Sequence, residues 1–244
     1  MAAFSEQDKA AAQGMHREFG RAPSAYKAAR RVVHTSTLTL WRCHDDEKKM
    51  DTWVSDVHVP ISLDSFIATT AKPKIRHTWD KATKELSVLD ATGPTDMCTV
   101  HEEAGDILTL HWLVKTPFPL PDREYIMRRR MGHLSDIQSF LLIDDIVPPS
   151  SPHNLRSKQR GVVRVSQMSN MQLMLHGHTP GTMRMRSIYC EDLMMPLPSW
   201  LLNCLTEKLL PRSIKALVDT AVQIESESGK HTTSGRAPTS SDSA

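Results

Sequence analysis

Arg76 and Asp80 stand four residues apart in the segment IRHTWD. That spacing brings a guanidinium and a carboxylate together on one helix face, where the acid orients the base without help from any other element. It also suits an ordinary surface ion pair. A second arginine raises a sharper question. In WLVKTPFPLPDREYIMRRRM, Trp112 to Met131, prolines at 117, 119 and 121 lead into a turn, and an alternating segment follows. A period of two puts Tyr125, Met127, Arg129 and Met131 on one side and Arg128 and Arg130 on the other. Arg129 thus shares a face with apolar neighbours. A buried guanidinium without a partner is costly, and the inward set of the preceding strand (Leu108, Leu110, Trp112, Val114) holds no acid. The expected partner is a carboxylate from elsewhere, such as Glu102 or Glu103, or ordered water.

Catalytic patterns are missing from the chain. HEEAG at His101 has the first half of a zinc-protease motif but lacks the second histidine and falls in a strand-like context. HGH at His176 and His178 reads as a turn. There is no Gly-rich phosphate loop, no G-x-S-x-G elbow and no Cys/His spacing of a metal site. The four cysteines (Cys43, Cys98, Cys190, Cys204) are scattered and read as reduced thiols. The expectation is a protein without catalytic residues, metal or cofactor.

The elements that must position these residues follow a definite order. VVHTSTLTLW (32–41) and DTWVSDVHV flank a charged HDDEKK turn and predict a hairpin. SLDSFIATT predicts a short helix, and IRHTWDKATKELSVLD a longer one, with Trp79, Ala82 and Leu86 at helical spacing. Strands are expected at about 97–103, 107–115, 125–131, 139–147, 161–168, 171–176 and 183–190, separated by turn-rich segments. PLPSWLLNCLTEKLLPRSIKALVDTAVQIE then predicts an amphipathic helix of about 27 residues from Ser199, with Leu201, Leu205, Leu209, Ile214, Leu217, Val218 and Ala221 along one stripe. Pro211 inside it should produce a bend. Residues 1–24 form a partly helical N-terminal segment, 25–225 one folded domain, and 226–244 a tail too poor in apolar residues to order.

A chain of 244 residues suffices for one large core. The formal charge of +2 argues against nucleic acid as a partner. No segment approaches the roughly 20 apolar residues of a spanning helix, and the charged N-terminus does not read as a secretory signal. The expectation is a soluble, cytoplasmic monomer.

WLVKTPFPLPDREY, RGVVRVSQM and LPSWLLNCLTEKLLP, well separated and in order, resemble the corresponding stretches of the StAR-related lipid-transfer (START) domain across residues 24–225. The resemblance implies an α+β helix-grip fold: a curved antiparallel β-sheet wrapped around a long C-terminal α-helix, with an internal lipid tunnel. It implies a non-enzymatic carrier of one lipid, a phospholipid rather than a sterol, that touches membranes transiently. The alternatives are a sterol or ceramide carrier of the same fold and a helix-grip cyclase-like enzyme.

Carried over residue by residue, the resemblance places Arg76, with Asp80, on the phosphate of the ligand. Trp112 and Tyr125 fall on two aromatic residues that enclose choline in phospholipid-carrying members, while Met168 stands where a third aromatic is expected and Asn170 in place of a nearby glutamine. Arg129 matches an arginine facing the cavity, for which the ligand's own phosphate is a further expected partner. Leu110, Val114, Met127, Met183, Met185 and Tyr189 form the expected tunnel lining, in a region where nine of the thirteen methionines fall between Met127 and Met195. Met packs against variable apolar shapes, although each could equally be core filler. A gate is expected where Leu134, in the loop MGHLSDIQ, meets Trp200, Leu201, Leu205 and Pro211 of the C-terminal helix.

Overall fold

The computed structural model describes residues 3–26, 29–45, 50–92, 105–118, 120–155, 161–192 and 208–233. In chain order the elements are α1 (Glu6–Glu18), β1 (Arg30–His34), β2 (Leu38–Asp45), β3 (Met50–Val59), α2 (Leu63–Ala71), α3 (Pro73–Trp79) and β4 (Thr83–Thr92). They continue with β5 (Asp106–Val114), β6 (Asp122–Leu134), β7 (Ser139–Ile146), β8 (Val162–Arg164), β9 (Met168–His176), β10 (Met183–Glu191) and α4 (Leu210–Thr233). Nine strands form one antiparallel path in the order β1-β2-β3-β10-β9-β7-β6-β5-β4, and β8 pairs in parallel with β6.

Strand parity sorts the side chains of this sheet onto two faces, with a small separate cluster of Trp41, Cys43 and Val54 on β2 and β3. The inner face carries Leu108, Leu110, Met127, Met131, Phe140, Leu142, Met174 and Met183, and α2 and α4 close over it with Phe66, Ile67, Leu217 and Ala221. Leu134, Leu141, Ile143, Leu173 and Leu175 point the other way and form a second core with Phe4, Ala12 and Met15 beneath α1. A reciprocal box starts α1: Ser5 Oγ accepts from the Asp8 backbone N–H at 3.1 Å, and Asp8 Oδ2 accepts from the Ser5 N–H at 2.8 Å. Arg130 then ties α1 to the sheet, donating to Asp8 Oδ2 at 2.6 Å and to Asp145 Oδ2 at 3.0 Å. Of the two residues expected on the outer face, Arg128 is exposed and Arg130 is half-buried under α1. Gly105, at φ +62°, lets the N-terminal segment approach: a Cβ there would lie 2.4 Å from Ala3 Cβ.

Several expectations are corrected. The helix predicted through Leu86 stops at Trp79, and residues 83–92 form edge strand β4 on β5. The apolar spacing there is short enough to serve either period, and the exposed row of hydrogen-bonding groups on β5 decides it. The single strand expected over 32–41 is split by a turn in which Thr35 Oγ accepts from the backbone N–H groups of Thr37 and Leu38, so that β2 rather than β1 forms the hairpin with β3. Pro211 stands where a π turn at residues 208–209 passes into α4, a local adjustment to its missing N–H. The helix also runs on to Thr233, past the expected boundary at Glu225, because its backbone bonds are local to the helix. The strand expected at 97–103 lies outside the described residues.

Candidate functional site

Among the described residues, a cavity of about 500 Å³ lies between the inner face of the sheet and the start of α4. Its apolar wall comes from Leu40, Val57, Val114, Leu120, Met168, Met185, Leu210 and Ile214, and its aromatic wall from Trp53, Trp112, Tyr125 and Tyr189. Polar atoms enter from Arg76, Arg123, Asp144, Asn170, Gln172 and Glu191. Of the expected tunnel lining, Val114, Met185 and Tyr189 do face this space. Leu110, Met127 and Met183 instead share the closed core of the same face with Phe66, each no more than 1% exposed. Parity assigned their face correctly; how far α2 fills it is a tertiary matter.

The Arg76 and Asp80 pair is present, but it spans a helix end. α3 stops at Trp79, Asp80 caps it, and Arg76 Nε donates to Asp80 Oδ2 at 3.0 Å. Asp80 also accepts from Thr83 Oγ at 2.9 Å and from the Ala82 N–H at 3.1 Å, which fixes its carboxylate. The guanidinium lies 4.1 Å from the centroid of the Trp112 ring, and Trp112 Nε1 donates to Thr83 Oγ at 2.9 Å. Burial pulls the pKa of Arg76 down and Asp80 opposes it. Trp112 and Tyr125 are register partners on β5 and β6, with ring centroids 5.3 Å apart.

This arrangement alters the expected choline enclosure. A cation already rests on the Trp112 ring, and it belongs to the protein. Met168 and Asn170 do face the cavity, but Met168 brings no aromatic face, and Asn170 Oδ1 accepts from Ser187 Oγ at 3.1 Å. The Tyr125 hydroxyl donates to Glu191 Oε1 at 3.1 Å, the Tyr189 hydroxyl donates to Glu191 Oε2, and Arg123 Nη1 lies 3.4 Å from Oε1. Burial raises the Glu191 carboxyl above its ordinary value of 4.5, against the pull of Tyr189 and Arg123, and burial likewise raises both tyrosines. Sequence reasoning passed over Arg123 and Glu191. The signal was available: each lies two residues from an inward tyrosine, Arg123 before Tyr125 and Glu191 after Tyr189.

Arg129 is resolved differently from expectation. Its partner is Asp144, directly opposite on the following strand β7: Nε donates to Oδ1 at 2.7 Å and Nη2 to Oδ2 at 2.9 Å. Nη1 reaches the carbonyls of Thr70 and Ala71 at 3.4 and 3.3 Å, at the end of α2. Glu102 and Glu103 lie outside the described residues, and no ligand phosphate is needed to satisfy this guanidinium.

Leu134 ends β6 instead of tipping a loop, and it is buried in the outer core beneath α1, on the face opposite the cavity. Its parity, even where Tyr125 and Met127 are odd, is the reason. Pro211 is at the start of α4. Trp200, Leu201 and Leu205 lie outside the described residues. No helix among the described residues is long and apolar enough to cross a membrane, and no cluster of metal-ligating side chains occurs among them.

Comparison with known proteins gives a consistent picture. No family model matches the chain. The phosphatidylcholine transfer protein of Mus musculus is 26% identical over 147 residues, spanning 59% of this chain and 59% of that protein's length. That of Rattus norvegicus is 26% identical over 193 residues, covering 77% of this chain and 80% of the relative. Among solved structures, human StAR-related lipid transfer protein 5 superposes with a TM-score of 0.67 at 12% identity, covering 90% of this chain and 97% of that one. The chain therefore has the helix-grip fold of START domains and resembles START-family transfer proteins in sequence.

Proposed function

We propose that this protein carries one phospholipid at a time between membranes, holding the acyl chains against the inner face of the sheet and the phosphate at Arg76. The observation that carries the reading is a mostly apolar cavity with a guanidinium set into its wall, oriented by Asp80 and seated on Trp112. A preorganised guanidinium presents its remaining donors in a fork that matches phosphate geometry. Names of the relatives, which are transfer proteins for phosphatidylcholine, support a carrier over an enzyme. Extraction, shielding and release require no covalent step. The site of action is the cytoplasm, with transient contact at membrane surfaces, and the working unit is a monomer.

Vesicle-to-vesicle transfer tests this directly. Arg76→Ala should lower phospholipid transfer at least about tenfold, the scale of one charge-assisted hydrogen bond, while unfolding stays cooperative. Equal transfer by Arg76→Ala and wild type would overturn the phosphate assignment. A second reading, a sterol or ceramide carrier of the same fold, draws on the Arg129–Asp144 pair, since Asp144 faces the cavity and could receive a ligand hydroxyl. Selective copurification of a sterol would favour it.

A further inference from the structure

Among the described residues three ion pairs border the cavity, one at the end of α3 and two on the inner face of the sheet. Arg76 meets Asp80, Arg129 meets Asp144, and Arg123 meets Glu191, at separations of 3.0, 2.7 and 3.4 Å. In each pair at least one member lines the cavity. Their charges cancel. A ligand whose head group bears a net charge would bury that charge without compensation, whereas a zwitterion leaves the cavity neutral. If the phosphate of a zwitterion lies at Arg76, its cation needs a receiver elsewhere on the wall.

Two receivers are conceivable, and the geometry distinguishes them. A quaternary ammonium has no N–H and relies on aromatic faces. Here the Trp112 ring already supports Arg76, and the hydroxyls of Tyr125 and Tyr189 both converge on Glu191. An ammonium with N–H groups needs an acceptor, and Glu191 is one. Its side chain is 6% exposed, lines the cavity, and receives donors from Arg123, Tyr125 and Tyr189. A carboxylate has about four acceptor positions, so a fourth donor can be accommodated. The two tyrosine hydroxyls hold the carboxylate in place, one on each oxygen. Trp112 links the two ends of the site, touching the Arg76 guanidinium and lying 5.3 Å from the Tyr125 ring.

We infer that Glu191, held by Arg123, Tyr125 and Tyr189, is a head-group subsite that selects zwitterionic phospholipids whose ammonium carries at least one N–H over those with a quaternary ammonium. This rests on the carrier reading and adds to it the chemical class of the head group. The test is a competition. The full-length protein is incubated with vesicles containing equal amounts of dioleoyl phosphatidylethanolamine, its N-methyl and N,N-dimethyl derivatives, phosphatidylcholine and phosphatidylglycerol, and the lipid taken up is quantified by mass spectrometry. The three lipids bearing an ammonium N–H should load about tenfold more than phosphatidylcholine, with the break at the last methylation, since one charge-assisted hydrogen bond is at stake. Glu191→Gln should bring that ratio close to one. Uptake of phosphatidylcholine or phosphatidylglycerol equal to that of phosphatidylethanolamine, or an unchanged ratio in Glu191→Gln, overturns the inference and leaves the carrier reading standing. Uptake of no lipid at all overturns both. Should Glu191→Gln fail to fold, the methylation series with the wild-type protein decides alone.

Discussion

Arg129 and Asp144 show what a single buried pair can demand of a fold. Their side chains are 2% and 6% exposed, they meet through two parallel hydrogen bonds, and the remaining guanidinium nitrogen is taken up by the carbonyls at the end of α2. Removing one partner leaves an uncompensated charge in the core, so Asp144→Ala should lower stability by about 3–5 kcal/mol in urea unfolding. The double change Arg129→Met with Asp144→Leu should recover most of that loss; if it is no more stable than the single variant, the pair is not acting as a unit. Glu191 makes stability depend on pH. Its folded-state pKa lies above the ordinary 4.5, because burial outweighs the stabilising contacts from Tyr189, Arg123 and Tyr125, and neighbouring Asp192 adds to the rise. A carboxyl raised in this way favours the folded state when protonated. Its contribution is complete below about 4.5 and is lost as pH rises through the raised value. Relative to the wild type, Glu191→Gln should therefore gain stability as pH is raised from 4 towards neutrality. Parallel pH profiles of the two proteins would refute the assignment.

Individual elements are held at their ends more than along their lengths. α1 begins with the Ser5 and Asp8 box, and Asp8 also receives Arg130 from β6. Ser5→Ala should cost about 1 kcal/mol, and Asp8→Ala more, since it removes both the cap and the tether to the sheet. Hydrogen exchange should show the loss concentrated in α1 and in the outer core around Leu134 and Leu141. A uniform loss across the sheet would contradict the view that α1 is a separable cover. Besides the apolar packing between α4 and α2, the Ser62 backbone N–H at the start of α2 donates to Glu225 Oε1 of α4 at 2.7 Å. If tilting of α4 admits the lipid, Glu225→Ala should speed both hydrogen exchange in α4 and lipid transfer. Faster exchange with unchanged transfer would remove α4 from the entry step.

Across the whole molecule, the sheet separates two tasks. Its outer core is sealed by α1, and its inner core is divided between a solid part under α2 and a hollow part under the start of α4. Filling the hollow should therefore affect cargo and leave the scaffold intact. Met185→Trp places a larger ring on the cavity wall, and loading should fall about tenfold or more while the thermal midpoint of the lipid-free protein shifts by only a few degrees. A large drop in that midpoint would mean that Met185 is ordinary core packing. Wild type with bound lipid should in turn melt higher as lipid concentration increases, by mass action, and Met185→Trp should lose this dependence.

Much of this architecture was legible in the amino-acid sequence, because period-two alternation is imposed by the backbone itself. The faces of Trp112, Tyr125, Arg129 and Tyr189 follow from counting, as does the apolar stripe of Ile214, Leu217 and Ala221. The Arg76–Asp80 contact is local, fixed by four residues of spacing even though the helix ends between them. What counting could not supply was which strand lies beside which. Asp144 became the partner of Arg129 only when β7 paired with β6 in one register, and residues 83–92 became a strand only because β5 offered them an edge. The same holds for depth along the inner face. Leu110, Met127 and Met183 share a face with Met185, but they lie in the closed core with Phe66, whereas Met185, Tyr189 and Glu191 line the cavity beside the start of α4. Parity is a property of the chain, and burial, partnership and cavity are properties of what other segments bring to it.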